Sequence, residues 1–253
     1  MKKRVIYTSI VGGPDRLMQP HMVDGRYDYI CFVRRGQAAG GRLGVWELRE
    51  IPFDCSDGRM LSRYPKLHPD EVLPGYLWTL WIDGNICIRN EEFYARIEEL
   101  IAADVQMAAP LHPLRDCVYD EVYAVVHAGK ERYVPAARVV DFLRSHAYPR
   151  HAGLFENNLL LRRGGDPALQ RMHNMWWNCL QTLSGRDQLS LMYCARECGV
   201  SIVPLLPTGM KTRDSSWFVY VRHDKGPSRP WIVKKYHDAV RRIEKWLLRR
   251  KLK

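Results

Sequence analysis

Tyr76-Leu77-Trp78-Thr79-Leu80-Trp81-Ile82-Asp83-Gly84-Asn85-Ile86 is an apolar, aromatic run that stops abruptly at a carboxylate, a glycine and an amide. Read as a buried strand of an α/β sheet, it delivers hard oxygen ligands at its carboxyl end, where many enzymes hold a divalent cation and a diphosphate. The competing local reading is a hairpin, because Asp-Gly between apolar runs is a strong turn signal. The first reading makes the chain an enzyme; the second makes Asp83 a turn residue.

Outward from this run, Arg4 to Ile10, Tyr27 to Val33 and Val45 to Arg49 read as strands separated by Gly-, Pro- and Asp-rich segments. Beyond it, Glu91 to Ala103 carries Phe93, Ile97, Leu100 and Ile101 at helical spacing, and Val105 to Ala109 is a short apolar strand. Helical patterns follow at Tyr133 to Ser145, Pro167 to Leu183 and Asp187 to Cys198, with short strands near Asn158 to Leu161 and Ser201 to Val203. Strands alternating with helices predict an α/β sheet with parallel pairs. With no repeat or low-complexity linker before about residue 230, the economical division is one domain over 1–230 and a tail over 231–253.

The 253 residues suffice for one substantial core, and a 46% hydrophobic, 26% charged composition excludes disorder. Met1-Lys2-Lys3-Arg4 opens like a signal peptide, but the apolar run after it is short and lacks an Ala-x-Ala cleavage site. No segment reaches the roughly 20 apolar residues that span a bilayer, so the expected location is the cytoplasm. Seven scattered cysteines agree with a reducing compartment, and Cys194 and Cys198, the one close pair, have no partner pair for zinc.

The formal charge of +11 is concentrated in the tail, where residues 234–253 hold nine Lys or Arg against Asp238 and Glu244. Tyr236, Ala239, Val240, Ile243, Trp246, Leu247 and Leu248 recur there at helical spacing, giving a basic amphipathic helix. Two placements fit it. One is the inner face of the plasma membrane, as a peripheral contact attracted at about 1 kcal/mol per basic residue; the other is docking on its own domain by the same apolar stripe. Nucleic acid is not an expected partner, since no binding motif accompanies the charge.

Polar clusters punctuate the apolar elements: Arg63 with Lys66; His112-Pro113 with Arg115, Asp120 and Glu121; Gly153-Leu154-Phe155-Glu156-Asn157-Asn158; Arg186-Asp187-Gln188; and Arg222-His223. Singly, each has a plain explanation as a cap, turn or solvated pair. In order, with Trp81-Ile82-Asp83-Gly84-Asn85-Ile86, Trp176-Trp177 and Asp116 to Glu121, they closely resemble the TOD/MUCI glycosyltransferase-like family over roughly residues 4 to 225. That family was long catalogued as a domain of unknown function, in plant wall-polysaccharide proteins and bacterial surface-polysaccharide loci.

The resemblance implies a GT-A-like, Rossmann-type mixed sheet flanked by helices. It also implies a nucleotide-diphosphate sugar as donor, a surface-polysaccharide or lipid-linked glycan as acceptor, and Mn2+ or Mg2+ as cofactor. The usual Asp-x-Asp stands here as Asp83-Gly84-Asn85. Asp83, Asn85 and His223 are the implied metal ligands, the amide being a weaker one than a carboxylate. Arg63 and Lys66 would pair with phosphate oxygens, together with Asp83 and His223 on the donor side. His112, Arg115, Asn157, Asn158, Arg186 and Gln188 would read sugar hydroxyls. Asp187 is the expected catalytic carboxylate, as base or sugar-binding acid, with Glu156 in reserve. Of Trp176 and Trp177, at least one is expected in the core.

Two rivals remain. A non-catalytic nucleotide-sugar or membrane-docking module would keep the fold without the chemistry. A ceramidase-like lipid amidohydrolase, a description applied to part of the plant family, would need clustered histidines or a Gly-x-Ser-x-Gly elbow, and the sequence has neither.

Overall fold

Residues 3–12, 17–38, 40–221 and 231–252 are described by the computed structural model. The chain begins with β1 (Arg4–Ile10), β2 (Asp28–Val33), the two-residue β3 (Arg42–Leu43) and β4 (Trp46–Glu50). Then come α1 (Gly58–Leu67), the short α2 (Pro69–Val72), β5 (Trp78–Ile82), β6 (Ile86–Ile88), α3 (Glu91–Ala102) and β7 (Met107–Ala109). The second half holds α4 (Val118–His127), α5 (Tyr133–Ser145), β8 (Leu159–Arg163), α6 (Pro167–Thr182), α7 (Leu191–Glu197), β9 (Ile202–Pro204), β10 (Phe218–Tyr220) and α8 (Trp231–Leu252).

Eight strands form one sheet in the order β3-β4-β2-β1-β5-β8-β7-β9, and β6 pairs with β10 in a separate two-stranded sheet. β4, β2, β1 and β5 run parallel, whereas β8 is antiparallel to both β5 and β7. The expected mixed α/β sheet is therefore present. From β1 the chain moves to β2 on one side and returns at β5 on the other, which opens a crevice beyond their carboxyl ends.

Period-two alternation divides the core between the two faces of the sheet. Val5 and Tyr7 of β1, with Ile30 and Phe32 of β2, pack with α1 and with α4 to α8. Ile6, Cys31, Leu80 and Ile82 face the opposite way, against Phe93 and Ile97 of α3 and Phe218 of the small sheet. All five residues of β5 are buried, as the opening run requires.

The hairpin alternative fails on topology. A backbone bond from Ile86 N to Asp83 O (2.9 Å) closes a tight turn, but β6 leaves the main sheet there and pairs with β10 instead of folding back on β5. Gly84 is required by close approach: a Cβ there would lie 3.2 Å from Ile10 Cγ1 and 3.5 Å from Thr8 Oγ1.

Several element boundaries differ from the sequence reading. The helix expected from Asp187 to Cys198 is a 3-10 turn, Asp187–Leu189, followed by α7. α1 and α4 carry no expectation from periodicity, and α1 contains Pro65.

The basic tail forms α8 and docks on α4 and α5, the second of its two expected placements. Leu248 is fully buried; Arg249 Nε donates to Tyr123 Oη (2.7 Å), and Glu244 accepts from Arg132 Nε (2.7 Å). Ile243 and Trp246 stay exposed, with the Arg250 guanidinium 4.7 Å from the Trp246 ring. Among the described residues no helix is long and apolar enough to cross a membrane.

Candidate active site

A cleft of about 530 Å³ lies beyond the carboxyl ends of β1 and β5. Asp83, Asn85, Arg63, Lys66, Glu156, Asn157, Asn158, Arg186, Asp187 and Gln188 all line it. Residues scattered over more than 120 positions of sequence thus share one wall. His112 and Arg115 line an adjoining recess of about 300 Å³, which shares Lys130, Glu156, Arg186, Gln188 and Arg213 with the cleft. His223 lies outside the described residues.

Backbone pairing explains the assembly. Asp83 N donates to Asn158 O (2.9 Å), so the segment entering β8 sets Glu156, Asn157 and Asn158 beside the end of β5. Next to it, His112 N donates to Leu154 O (2.9 Å) and Glu156 N to Pro110 O (2.7 Å), which brings in the loop after β7. Val221 N and O bond Asn85 O and Nδ2, both at 2.9 Å, and carry the chain after β10 to the rim.

The Asp83 side chain is 41% exposed toward the cleft, and its Oδ1 accepts from Trp81 Nε1 at 2.8 Å. It suits a hard cation held by one protein carboxylate together with phosphate oxygens and water, an arrangement that asks for few protein ligands. Asn85 is 5% exposed, and its amide nitrogen is committed to Val221 O. Asp83 thus offers a carboxylate to the cleft, and Asn85, which a metal would engage through its side-chain oxygen, also ties β10 to the turn through its nitrogen.

α1 also lines the cleft. Asp57 caps it, accepting from Arg59 N at 2.8 Å, and leaves Gly58 and Arg59 on the cleft at its positive end. Lys66 is only 4% exposed and donates to Asp187 Oδ2 at 2.6 Å, while Arg63 Nη2 stands 3.6 Å from Asp187 Oδ1. The solvated-pair reading of Arg63 and Lys66 does not survive this geometry.

Two carboxylates have opposite environments. Burial alone would raise the Asp187 pKa, but the charges of Lys66 and Arg63, with the Lys66 hydrogen bond, hold it well below the carboxylate range. An ion-paired carboxylate of that kind is a weak proton acceptor, an environment that suits holding Lys66 and Arg63 better than the expected role of base. Glu156 is pushed upward, chiefly by burial, against the pull of Arg213. Its position at the junction of cleft and recess, with a raised pKa, suits proton transfer.

Asn157 is 6% exposed, and neither polar atom of its side-chain amide has a hydrogen-bond partner among the described residues. A buried carboxamide without partners is costly unless something occupies the cleft. His112 is lowered to about 4 by burial and by the charges of Arg115 and Arg213. Its Nδ1 accepts from the backbone of Leu114 and Arg115, so the ring is neutral with its proton on Nε2.

Neither tryptophan of the expected pair lines the cleft. Trp176 is buried and donates from Nε1 to Asp187 O at 2.8 Å. Trp177 packs edge-on against Phe53, Tyr64 and His68. Sequence reasoning missed Arg59, Trp81, Lys130, Arg213 and Tyr220 as cleft residues. Asp57-Gly58, a cap residue before a helix start, was the available signal for Arg59; basic residues in short runs of mixed charge give none.

A family model described as TOD1/MUCI70, glycosyltransferase-like domain, matches residues 2–202. The probable hexosyltransferase MUCI70 of Arabidopsis thaliana is 25% identical over 179 residues, covering 66% of this chain and 30% of that protein. The chain thus spans less than a third of that relative's length. Among solved structures, mouse xyloside xylosyltransferase 1 in its apo form aligns over 79% of this chain and 83% of its own, with 7% identity and a TM-score of 0.45. A 4-diphosphocytidyl-2C-methyl-D-erythritol synthase from Anaerococcus prevotii covers 80% and 87%, with 14% identity and a TM-score of 0.40. Both structural likenesses are loose.

The Lys66–Asp187 pair sets a testable energy. Lys66→Met leaves a buried carboxylate facing only Arg63 and is expected to cost about 3–5 kcal/mol in urea unfolding. Because the folded-state pKa of Asp187 lies below its ordinary 3.8, the pair's contribution is full above that value and fades as pH falls toward the folded-state pKa. Unchanged stability of the Lys66→Met protein at neutral pH would refute this account of the wall.

Proposed function

The chain belongs to the TOD1/MUCI70 glycosyltransferase-like family, and on that premise we propose that it moves a sugar from a nucleotide-diphosphate donor to a surface-polysaccharide or lipid-linked glycan acceptor. One observation carries the reading: a strand-end carboxylate, Asp83, shares a cleft of sugar-nucleotide size with Arg59, Arg63, Lys66 and Arg186. Transfer breaks the anomeric C–O bond and leaves negative charge on the departing diphosphate. Cations fixed in advance at that point stabilise the charge without reorganising.

Asp83 would hold Mn2+ or Mg2+, and such an ion, when bound, adds Lewis-acid stabilisation to the leaving diphosphate. The remaining work falls to the chain. Arg59 and the amino end of α1 meet the phosphates, and Arg63 and Lys66, fixed by Asp187, present their donors in set directions. Asn157 supplies an unpaired amide to a sugar hydroxyl. Glu156 takes the proton of the acceptor hydroxyl as its oxygen bonds to the anomeric carbon, and the electron pair of the broken bond leaves with the diphosphate.

We also propose that the enzyme works at the cytoplasmic face of an anionic membrane, since α8 keeps Ile243 and Trp246 exposed beside Arg242 and Arg250 after docking.

Asp83→Ala is expected to abolish transfer and to weaken calorimetric binding of nucleoside diphosphate with Mn2+. Full turnover by this variant with any accepted donor would sink the assignment. Glu156→Gln should lower kcat by about 10²- to 10⁴-fold while donor binding persists. In the parent enzyme the acid limb of kcat/KM should sit above the ordinary glutamate value of 4.5, the rate rising as Glu156 loses its proton. Trp246→Glu should reduce co-sedimentation with phosphatidylserine vesicles relative to phosphatidylcholine; equal recovery of both proteins would remove the membrane proposal.

A further inference from the structure

We propose that the recess beside Glu156 is an acceptor subsite built for a glycan that carries a negative charge, a carboxylate or a phosphate, near the hydroxyl to be modified. The proposal rests on the glycosyltransferase reading above and specifies its second substrate.

Charge is the first argument. Cleft and recess together present eight cationic side chains and five carboxylates, a surplus of three. A nucleoside diphosphate sugar carries about two negative charges, which a bound divalent metal would offset, so a metal-loaded donor would be close to neutral. The surplus is left for something else.

Its location is the second argument. On the donor side, Lys66 and Arg63 are already engaged by Asp187, and in the recess Arg115 is engaged by Glu121, Nε to Oε2 at 2.6 Å. Lys130, Arg186 and Arg213, shared by both spaces, have no ion pair with a carboxylate among the described residues. Arg186 and Arg213 both act on Lys130. Desolvation and their charges lower Lys130 against the weaker pull of Glu121, and desolvation lowers Arg186 against the pull of Asp187 and Glu131. An incoming anion would offset the repulsion felt by Lys130.

Construction is the third. Arg213 is braced by the Tyr220 ring, 5.1 Å from its guanidinium carbon, so its direction is fixed. Lys211 stands at the outer lip and lines the recess alone. Asn157, buried with both amide atoms unpaired, lies on the cleft side of the same wall. An acceptor seated here would place a hydroxyl against Glu156 and its anion among Lys130, Lys211 and Arg213.

The test uses the full-length chain and three calorimetric probes: a uronic-acid oligosaccharide, its carboxyl-reduced neutral twin, and the neutral oligosaccharide bearing an alkyl phosphate at its reducing end. At least one anionic probe is expected to bind ten-fold or more tightly than the neutral twin, and the two anionic arms tell carboxylate from phosphate. Lys130→Ala/Lys211→Ala should reduce that preference to within about two-fold, with folding checked by thermal melting. Equal binding of all three probes, or a preference that survives the double variant, overturns the proposal. Nucleoside diphosphate binding, compared between the parent and Asp83→Ala, reports separately on the donor site, so failure of one reading is not mistaken for failure of the other.

Discussion

A single buried ion pair, Lys66 with Asp187, is where the elements around the cleft meet. Two charges removed from water are tolerated only with close geometry and further hydrogen bonds around them. Here the supports extend to the backbone of both partners. The fully buried Arg162 donates from Nη1 to Lys66 O (2.7 Å), and Trp176 donates from Nε1 to Asp187 O (2.8 Å). Lys66 Nζ also stands 3.8 Å from Asp83 Oδ1 and 5.4 Å from the Trp81 ring. One ammonium group thereby couples α1, the end of β5, β8, α6 and the 3-10 turn.

That coupling separates two acidic residues that local sequence treats alike. Asp187 meets cations deep in the wall and its pKa is held down, while Glu156 loses water with only a partial offset from Arg213 and its pKa is pushed up. Environment, not residue type, separates the two carboxylates. Arg162 with His173 and Tyr7 forms a second buried polar layer behind the first. It backs the wall from the side away from the cleft.

Legibility in the sequence followed physical range. β5 was readable because four of its five residues are large and apolar, Thr79 being the exception, and Asp83 because a carboxylate follows it. Ten of the expected residues share the cleft, since the order of motifs carried them together. α1 was not readable: Pro65 interrupts its pattern, and its inward face carries Arg63 and Lys66 in place of hydrocarbon. Lys66 looks solvated until its partner, 121 residues away, is known. Asp187 was readable as a site residue, but its ion pair with Lys66 was not, because only the three-dimensional neighbours set its environment. Lys130 and Arg213 gave no signal, each lying in a short run of mixed charge, Lys130-Glu131-Arg132 and Lys211-Thr212-Arg213-Asp214, with no periodicity.

The departure of β6 from the main sheet joins distant parts of the chain. By pairing with β10 it draws in a stretch that lies past the end of the family match at residue 202, and that stretch supplies Lys211, Arg213 and Tyr220. The two flanks of the cleft are thus joined by a ribbon of three residue pairs, Phe218 with Ile88, Val219 with Cys87 and Tyr220 with Ile86, so its register fixes how far the basic flank stands from Asp83.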